Sequence, residues 1–327
     1  MSRLEVTAPD GLPEITADTD LARVVAAVTE LADGDIVVVT SKVVSKAEGR
    51  VRAGDRAEAL AEETVRVVAS RGPTLIVRNR LGLTMAAAGV DASNVPLGRV
   101  ALLPLDPDAS ARALRDALLE LTGANVGVVV TDTAGRAWRE GQTDIAIGAA
   151  GLLVAEDFGG REDLYGNPLA VTLPAVADEI AGAAELAQGK LAGRPVAVVR
   201  GRADLVLEAG AHGTGAVRLV RPEGGDLFGY GAREAVVRAL AGRPEDRRPF
   251  GDPVSAHELA GALERVHPTG RPSLTPLDGG SSSYGMGLHD APDRTAVAAV
   301  CFAHGWTLDE WRADGSDVVA TVSPVTP

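Results

Sequence analysis

Asp132 and Thr133 follow the apolar run Val126-Gly-Val-Val-Val130, and Arg136, Trp138 and Arg139 come directly after them between glycines. A β-type run of this kind predicts a buried strand, which places Asp132 at its exposed carboxyl end. A carboxylate at a strand end is a natural ligand for a hard cation, and the arginines suit an anionic substrate. A charged loop capping a helix accounts for the same residues equally well. The choice depends on whether other segments supply the missing parts of one site.

Two segments offer matching chemistry. Thr40-Ser-Lys-Val-Val-Ser-Lys46 follows the apolar run that ends at Val39. Its hydroxyls can donate to a phosphate and its ammonium groups supply charge. The glycines of a Walker A loop are missing, and lysines also serve simply to solvate a surface. Leu81 to Asn94 is a stretch of small residues ending in Asp91 and Asn94. Small residues let a backbone and a ligand approach closely, Asp91 can ligate a metal, and Asn94 offers the donor and acceptor that a purine edge requires. A helix followed by an Asx turn is the alternative for that stretch. The turn Gly11-Leu-Pro-Glu-Ile15 contains an acid and by itself implies nothing.

The histidines narrow the chemistry. All five (His212, His257, His267, His289 and His304) lie at or beyond position 212. A Ser-His-Asp or Cys-His site built wholly from earlier segments is therefore excluded. A hard cation there must use oxygen ligands, which suits Mg²⁺ or Mn²⁺ and the phosphates they bridge. Oxygen ligands, lysines and arginines describe phosphoryl chemistry better than acyl hydrolysis.

These residues need elements to hold them. Strands are expected at Ile36–Thr40, Thr74–Val77, Val126–Val130 and Pro195–Val199, and helices at Arg56–Ser70, Ser110–Leu121 and Pro174–Leu191. The uneven spacing of the helices and the long connections favour an α+β fold with mixed sheets over a regular doubly wound one. No internal repeat is visible. A shift to proline and charge marks a boundary around Ala241–Pro253. Beyond it, Val254–Val266 predicts a helix, Thr295–Trp311 one or two more, and Pro268–Asp293 a loop or disorder. This tail is small enough to depend on the first part for its folding.

At 327 residues the chain has room for two domains. Its net charge of −13, without a basic stripe, argues against a nucleic-acid partner. Small anions are still compatible, because a few arginines, backbone N–H groups and a metal can hold them. Cys301 is the only cysteine, which excludes an intrachain disulfide and a Cys-rich zinc site. The opening Met1-Ser-Arg-Leu-Glu-Val has no signal-peptide pattern, and no apolar run approaches the ~20 residues that span a bilayer. A cytoplasmic protein without a membrane partner is the expectation.

Taken together, several motifs resemble one family. Val39-Thr-Ser-Lys-Val-Val-Ser-Lys-Ala-Glu-Gly-Arg50, Gly89-Val-Asp-Ala-Ser-Asn94 and Thr131-Asp-Thr-Ala-Gly-Arg-Ala-Trp-Arg139 are similar to coenzyme F420-0:L-glutamate ligases, the γ-glutamyl ligases of deazaflavin biosynthesis. So are Ala177-Asp-Glu-Ile180, Gly189-Lys-Leu191, Val198-Val-Arg-Gly201, Arg221-Pro222 and Asp226-Leu-Phe228, all in the same order over residues 10–235.

The resemblance implies GTP-dependent amide formation with a divalent metal, Mg²⁺ or Mn²⁺, and K⁺ as a monovalent cation. GTP would phosphorylate the terminal carboxylate of F420-0, and the amine of L-glutamate would displace phosphate. Further rounds would add γ-linked glutamates. It also implies metal ligands at Asp91, Asp132 and Thr133, and GTP contacts at Leu12, Pro13, Glu14, Ile15, Ser41, Lys46 and Asn94. Lys46 would act beside the metal in catalysis. Arg136 and Arg139 are assigned here, beyond the resemblance, to the anionic acceptor or the acyl phosphate, with a structural ion pair as the alternative.

The fold implied is two α+β subdomains of the F420 γ-glutamyl ligase type in a homodimer. On this reading residues 1–240 are the ligase domain, 241–253 a linker and 254–327 a short C-terminal extension. Asp246-Arg-Arg-Pro-Phe-Gly-Asp-Pro-Val254 resembles the opening of a nitroreductase-like, flavin-binding domain, but too little chain follows for its sheet. A remnant of such a domain, without FMN or reductase activity, is expected. The alternatives are a ligase of the same mechanism acting on another carboxylate or amine, and an inactive nucleotide-binding scaffold.

Overall fold

The computed structural model describes residues 3–269, 272–277, 282–290 and 292–326. The chain forms two units, Met1–Val220 and Arg221–Pro327. Both mix helices with mainly antiparallel sheets, so the fold is α+β. Among the described residues no helix is long and apolar enough to cross a membrane.

The first unit begins with β1 (Glu5–Thr7), α1 (Leu21–Val28), β2 (Ile36–Thr40) and α2 (Ser41–Ala47). A lobe of β3 (Val51–Ala53), α3 (Arg56–Glu63), β4 (Thr64–Arg71), β5 (Thr74–Asn79), β6 (Thr84–Ala86) and β7 (Arg99–Ala101) follows. The chain then continues through α4 (Pro107–Thr122), β8 (Gly127–Gly135), β9 (Gln142–Ala150), the short pair β10 (Arg161–Glu162) and β11 (Pro168–Leu169), α5 (Val176–Gln188) and β12 (Val196–Arg200).

Five of these strands form one sheet in the order β1-β12-β2-β8-β9. Only β2 and β8 run parallel, with Ile36 opposite Gly127 and Thr40 opposite Thr131. Their valine runs follow from burial on both faces, since side chains alternate along a strand. Val37, Val39, Val128 and Val130 pack on one side against Val25 of α1 and Leu114 and Leu118 of α4. Ile36, Val38 and Val129 pack on the other side against Val176, Ala177 and Ile180 of α5.

Polar anchors fix α4 to this sheet. Asp106 caps its first turn, Pro107 opens it and Gly123, at φ 75°, closes it. Asp108 Oδ1 accepts the backbone N–H groups of Ala149 and Ala216, both at 2.7 Å, and Oδ2 accepts that of Val217 at 3.2 Å. The approach is so close that a Cβ on Gly148 would lie 2.3 Å from the Pro107 carbonyl oxygen. Gly148→Ala is therefore expected to cost about 1–3 kcal/mol of stability, because backbone must move to admit the methyl group. Urea unfolding measures it, and an unchanged midpoint would show that the α4 start yields freely.

The inserted lobe differs from expectation. The helix predicted over Arg56–Ser70 stops at Glu63, and Thr64–Arg71 is a strand paired with β5. Ala59, Ala61, Val65 and Val68 fit a helical spacing, but the β-branched run beyond Thr64 is better satisfied by pairing. Ala59, Val77, Val90, Val100 and Leu102 form the lobe's own small core. Glu63 ties it together, accepting from Arg50 at 3.0 Å and from Arg80 at 2.7 Å.

The second unit holds α6 (Ala232–Ala241), α7 (Ala256–Val266), β13 (Ser273–Pro276), β14 (Tyr284–Leu288), α8 (Arg294–Ala303), β15 (Trp306–Asp314) and β16 (Asp317–Pro324). Its strands form an antiparallel sheet in the order β13-β14-β16-β15. Leu259, Leu263, Met286, Cys301, Trp306 and Val322 make a core of its own.

The division falls between Val220 and Arg221, ahead of the expected linker at 241–253. That stretch is built into the second unit: Arg247 stacks on Phe302 at 4.4 Å and donates to the Trp306 carbonyl. The expected helix over Val254–Val266 is present as α7. The region Pro268–Asp293, expected as loop, contributes β13 and β14, while residues 270, 271, 278–281 and 291 lie outside the described ones. Of Thr295–Trp311, only the first part is helical. Gly305, at φ 76°, ends α8, and a strand begins at Trp306.

Candidate active site

The parallel pairing of β2 and β8 sets the site. Because Thr40 and Thr131 are in register, Ser41, which opens α2 as β2 ends, comes beside Asp132, which continues in β8, and Ser41 Oγ donates to Asp132 Oδ1 at 3.0 Å. A carboxylate on β8 reached by a buried hydroxyl at the start of α2 is the first half of the site, and because β8 runs on to Gly135, Asp132 lies within the strand and not, as expected, at its end.

Asp91 is the second carboxylate. It bridges to Ala101 of β7 by backbone hydrogen bonds within the inserted lobe, and its side chain lines the same pocket as Asp132. Its Oδ1 accepts Ser93 N at 2.7 Å, the Asx turn that the sequence allowed. Lys42 Nζ stands 2.6 Å from Asp91 Oδ2 and 2.7 Å from Ser93 Oγ. Burial works to raise the Asp91 pKa, but the hydrogen bonds from Lys42 and Ser93 outweigh it and hold it below the usual value. Asp132 goes the other way. Burial first, then the negative charges of Asp144 and Asp91, push it up to about 7, against the hydrogen bonds from Ser41 and the Thr133 N–H.

A pocket of about 1090 Å³ lies over these groups. Leu12, Pro13, Glu14, Ile15, Lys46, Asp91, Asn94, Asp132 and Thr133 all line it. Segments far apart in the chain therefore share one wall. Lys46 Nζ donates to Glu14 Oε1 at 2.6 Å. Asn94 is exposed on a left-handed turn at φ 53°, a conformation asparagine tolerates. Ser41 lies behind the wall and touches it through Asp132. Arg136 and Arg139 are placed at the exposed tip between β8 and β9, where Arg136 donates to the Glu140 carbonyl.

Several lining residues had no role assigned from sequence. Thr133 Oγ1 donates to Asp144 Oδ1 at 2.7 Å, and Thr131 Oγ1 to Asp144 Oδ2 at 3.2 Å. Lys190 Nζ donates to Thr133 Oγ1 at 2.9 Å and pairs with Glu185. Burial acts to lower the Lys190 pKa, but Glu185 and Asp144 prevail and raise it, which keeps the ammonium charged. Gln188 is buried at the end of α5, lines the pocket, and its Nε2 has no hydrogen-bond partner among the described residues. An orphaned buried donor of this kind suits a ligand acceptor. Gly189-Lys-Leu191 was the sequence signal here, but nothing in it located Lys190 beside β8.

The arrangement alternates sign. Lys42, Lys46, Arg56, Lys190 and Arg194 line the pocket together with Glu14, Asp91, Asp132, Asp144 and Glu185. Such a wall can bind a polyanion and a cation together. Among the described residues no three carboxylates, imidazoles or thiolates converge on a metal position. Two carboxylates and a hydroxyl fit Mg²⁺ or Mn²⁺, which keep water and phosphate oxygens in their remaining positions.

Comparison with known proteins covers this same region. The F420-0:Gamma-glutamyl ligase family model matches residues 11–201, which include every residue lining the pocket. The chain is 44% identical over 219 residues to the coenzyme F420:L-glutamate ligase of Archaeoglobus fulgidus, covering 61% of this chain and 88% of that protein. It is 44% identical over 203 residues to the protein of the same name in Methanopyrus kandleri, covering 56% and 81%. With that of Halobacterium salinarum it shares 42% identity over 247 residues, covering 67% and 93%.

Proposed function

The chain belongs to the F420-0:γ-glutamyl ligase family and is a ligase, and from that premise we propose that it joins the carboxylate of coenzyme F420-0 to the amine of L-glutamate at the expense of GTP. The observation that supports this reading most is the convergence of Asp91, Asp132, Lys46 and Asn94 on one pocket with the Leu12–Ile15 turn.

In the first step a carboxylate oxygen of F420-0 attacks the γ-phosphorus, the bond to the β-phosphate oxygen breaks, and GDP leaves. In the second, the amine attacks the acyl carbon, the bond to phosphate breaks, and the nitrogen loses a proton as the amide forms. Repetition on the new γ-carboxylate extends a glutamate chain. Leu12, Pro13, Glu14, Ile15, Lys46 and Asn94 hold the nucleotide, whereas Ser41, behind the pocket wall, serves it only through Asp132. Lys46 meets charge developing on the transferred phosphoryl group, and Ser41 holds Asp132 in place. Asp91, Asp132 and Thr133 would hold Mg²⁺ or Mn²⁺, which when bound neutralises phosphate charge. K⁺ as a monovalent activator and a homodimer belong to the same reading, as do Arg136 and Arg139 as clamps on the anionic acceptor.

The test is mass spectrometry of purified protein with F420-0, glutamate, GTP and Mn²⁺. A product heavier by one or more glutamyl units is expected. GTP turnover only with another acid or amine would transfer the mechanism to a different substrate, and failure to bind GTP would sink the reading.

Lys46→Met is expected to lower kcat/KM for glutamyl transfer about a hundredfold or more, the usual scale for loss of one charge-stabilising donor. Its melting temperature should hardly change. The Lys46 side chain is 13% exposed but its partner Glu14 is 76% exposed, and so open a pair contributes little stability. Near-normal turnover in this variant would remove Lys46 from the chemistry.

A further inference from the structure

We propose that Asp144 is a positioning residue that fixes the Thr133 hydroxyl so that its oxygen presents a lone pair to the cation of the reaction. This rests on the reading above.

Asp144 lies on β9 directly opposite Thr133, with 4% of its surface exposed. A buried carboxylate in a sheet is costly unless it is well satisfied, and here it accepts from Thr131, Thr133 and Lys190. A register shift between Val130 and Thr131 precedes these residues. Beyond it, Thr131 and Thr133 share the face of Asp144, while alternation turns Asp132 to the other face, towards Ser41.

The proton inventory then decides how Thr133 is oriented. A hydroxyl has one proton and two lone pairs, a carboxylate only accepts and an ammonium only donates. Lys190 Nζ, at 2.9 Å, uses one lone pair of Thr133. The single proton goes to Asp144, at 2.7 Å. One lone pair remains, and Thr133 lines the pocket. Without the acceptor at 144 the hydroxyl is free to rotate its proton into the pocket, where it would repel a cation. Groups that orient a ligand without touching the metal typically change its affinity 10–100-fold.

The test is Mn²⁺ binding, read from the electron paramagnetic resonance signal of the free ion, in the full chain without substrates. Asp144→Ala, which removes the acceptor, and Thr133→Val are each expected to weaken binding about tenfold, while Asp144→Asn, whose amide oxygen still accepts the Thr133 proton, should bind much like the unsubstituted chain. The double variant should bind no more weakly than Thr133→Val alone, and Thr133→Ser should bind like the unsubstituted chain. Additive losses, about a hundredfold in the double variant, would show that Asp144 acts by charge alone and overturn the inference. So would unchanged binding in Asp144→Ala, or a loss in Asp144→Asn as large as that in Asp144→Ala. Should Asp144→Ala fail to fold, Asp144→Leu, which keeps the volume and removes the acceptor, carries the same cycle. Absence of Mn²⁺ binding to the unsubstituted chain would overturn the cation reading together with this one.

Discussion

Asp132→Asn is expected to abolish glutamyl transfer, by about a thousandfold or more, while making the metal-free protein more stable above neutral pH. On the proposed mechanism the first effect follows from losing an ionised oxygen at the phosphoryl centre, where charge stabilisation contributes most to rate. The second follows from burial. The folded pKa of Asp132 is raised from 3.8 to about 7. Below pH 4 the carboxyl is protonated in both folded and unfolded chains, and the substitution changes little. Between about 4 and 7 the unfolded chain releases the proton and the folded one retains it, so stability falls as pH rises. Above about 7 the loss is complete, on the order of 4 kcal/mol. Asparagine never ionises, so its advantage grows across that window and then levels off. Saturating Mn²⁺ should narrow the gap, because it stabilises the aspartate form selectively. Thermal melts at pH 5 and pH 8, with and without Mn²⁺, provide the measurement. A variant that melts below the parent at pH 8 without metal would contradict the burial argument, and undiminished turnover would contradict the ligand role.

Arg115→Met is expected to produce the largest loss of stability, about 3–5 kcal/mol, with little effect on turnover per folded molecule. Arg115 is 2% exposed. Its Nε donates to the Val126 carbonyl at 2.8 Å and Nη1 to that of Ala211 at 2.8 Å. Nη2 serves Asn125 Oδ1 and the carbonyls of Leu207 and Glu208 at 2.8, 3.0 and 3.0 Å. One planar fork thus satisfies backbone from α4's exit to the loop beyond Leu207. Methionine would fill the volume but leave these acceptors desolvated and unpaired, at about 1–3 kcal/mol for each that water cannot reach. Lysine, with three donors on a single atom, cannot replicate the fork. Arg115→Lys should therefore recover only part of the loss in urea unfolding, and stability within 1 kcal/mol of the parent would show that the network matters less than its geometry suggests.

The fold was legible wherever burial left a pattern. The runs Ile36–Thr40 and Val126–Val130 read as buried strands and correspond to β2 and the first part of β8, which continues to Gly135 beyond what was expected, and α4 is bracketed by Asp106, Pro107 and Gly123 much as capping chemistry requires. Thr64–Arg71 misled because its valines satisfy two periods at once, and only the partner strand β5 chooses between them. The second unit was harder. Its glycine-rich connections hid β13 and β14, and the strand that follows Gly305 was read as more helix. The candidate site divides in the same way. Asp91, Asp132 and Lys46 could be proposed from local chemistry, since each follows or ends a recognisable element. Asp144, Glu185, Gln188 and Lys190 could not, because an acid on a strand or a lysine after a helix acquires meaning only when β9 and α5 close against β8.

The parallel register of β2 and β8 also bears on how the chain reaches its native state. Ser41 and Asp132 touch across a separation of 91 residues, and the whole inserted lobe lies between them in the chain. Parallel pairing over such a span closes a long loop and is intrinsically slow to form. On the proposed function, nucleotide and metal would recognise only a molecule whose central pairing is complete, and their binding energy would act on the finished first unit as a whole. Amide exchange in the valine core of β2 and β8 should slow when ligand is present, even though those amides lie beneath the pocket floor.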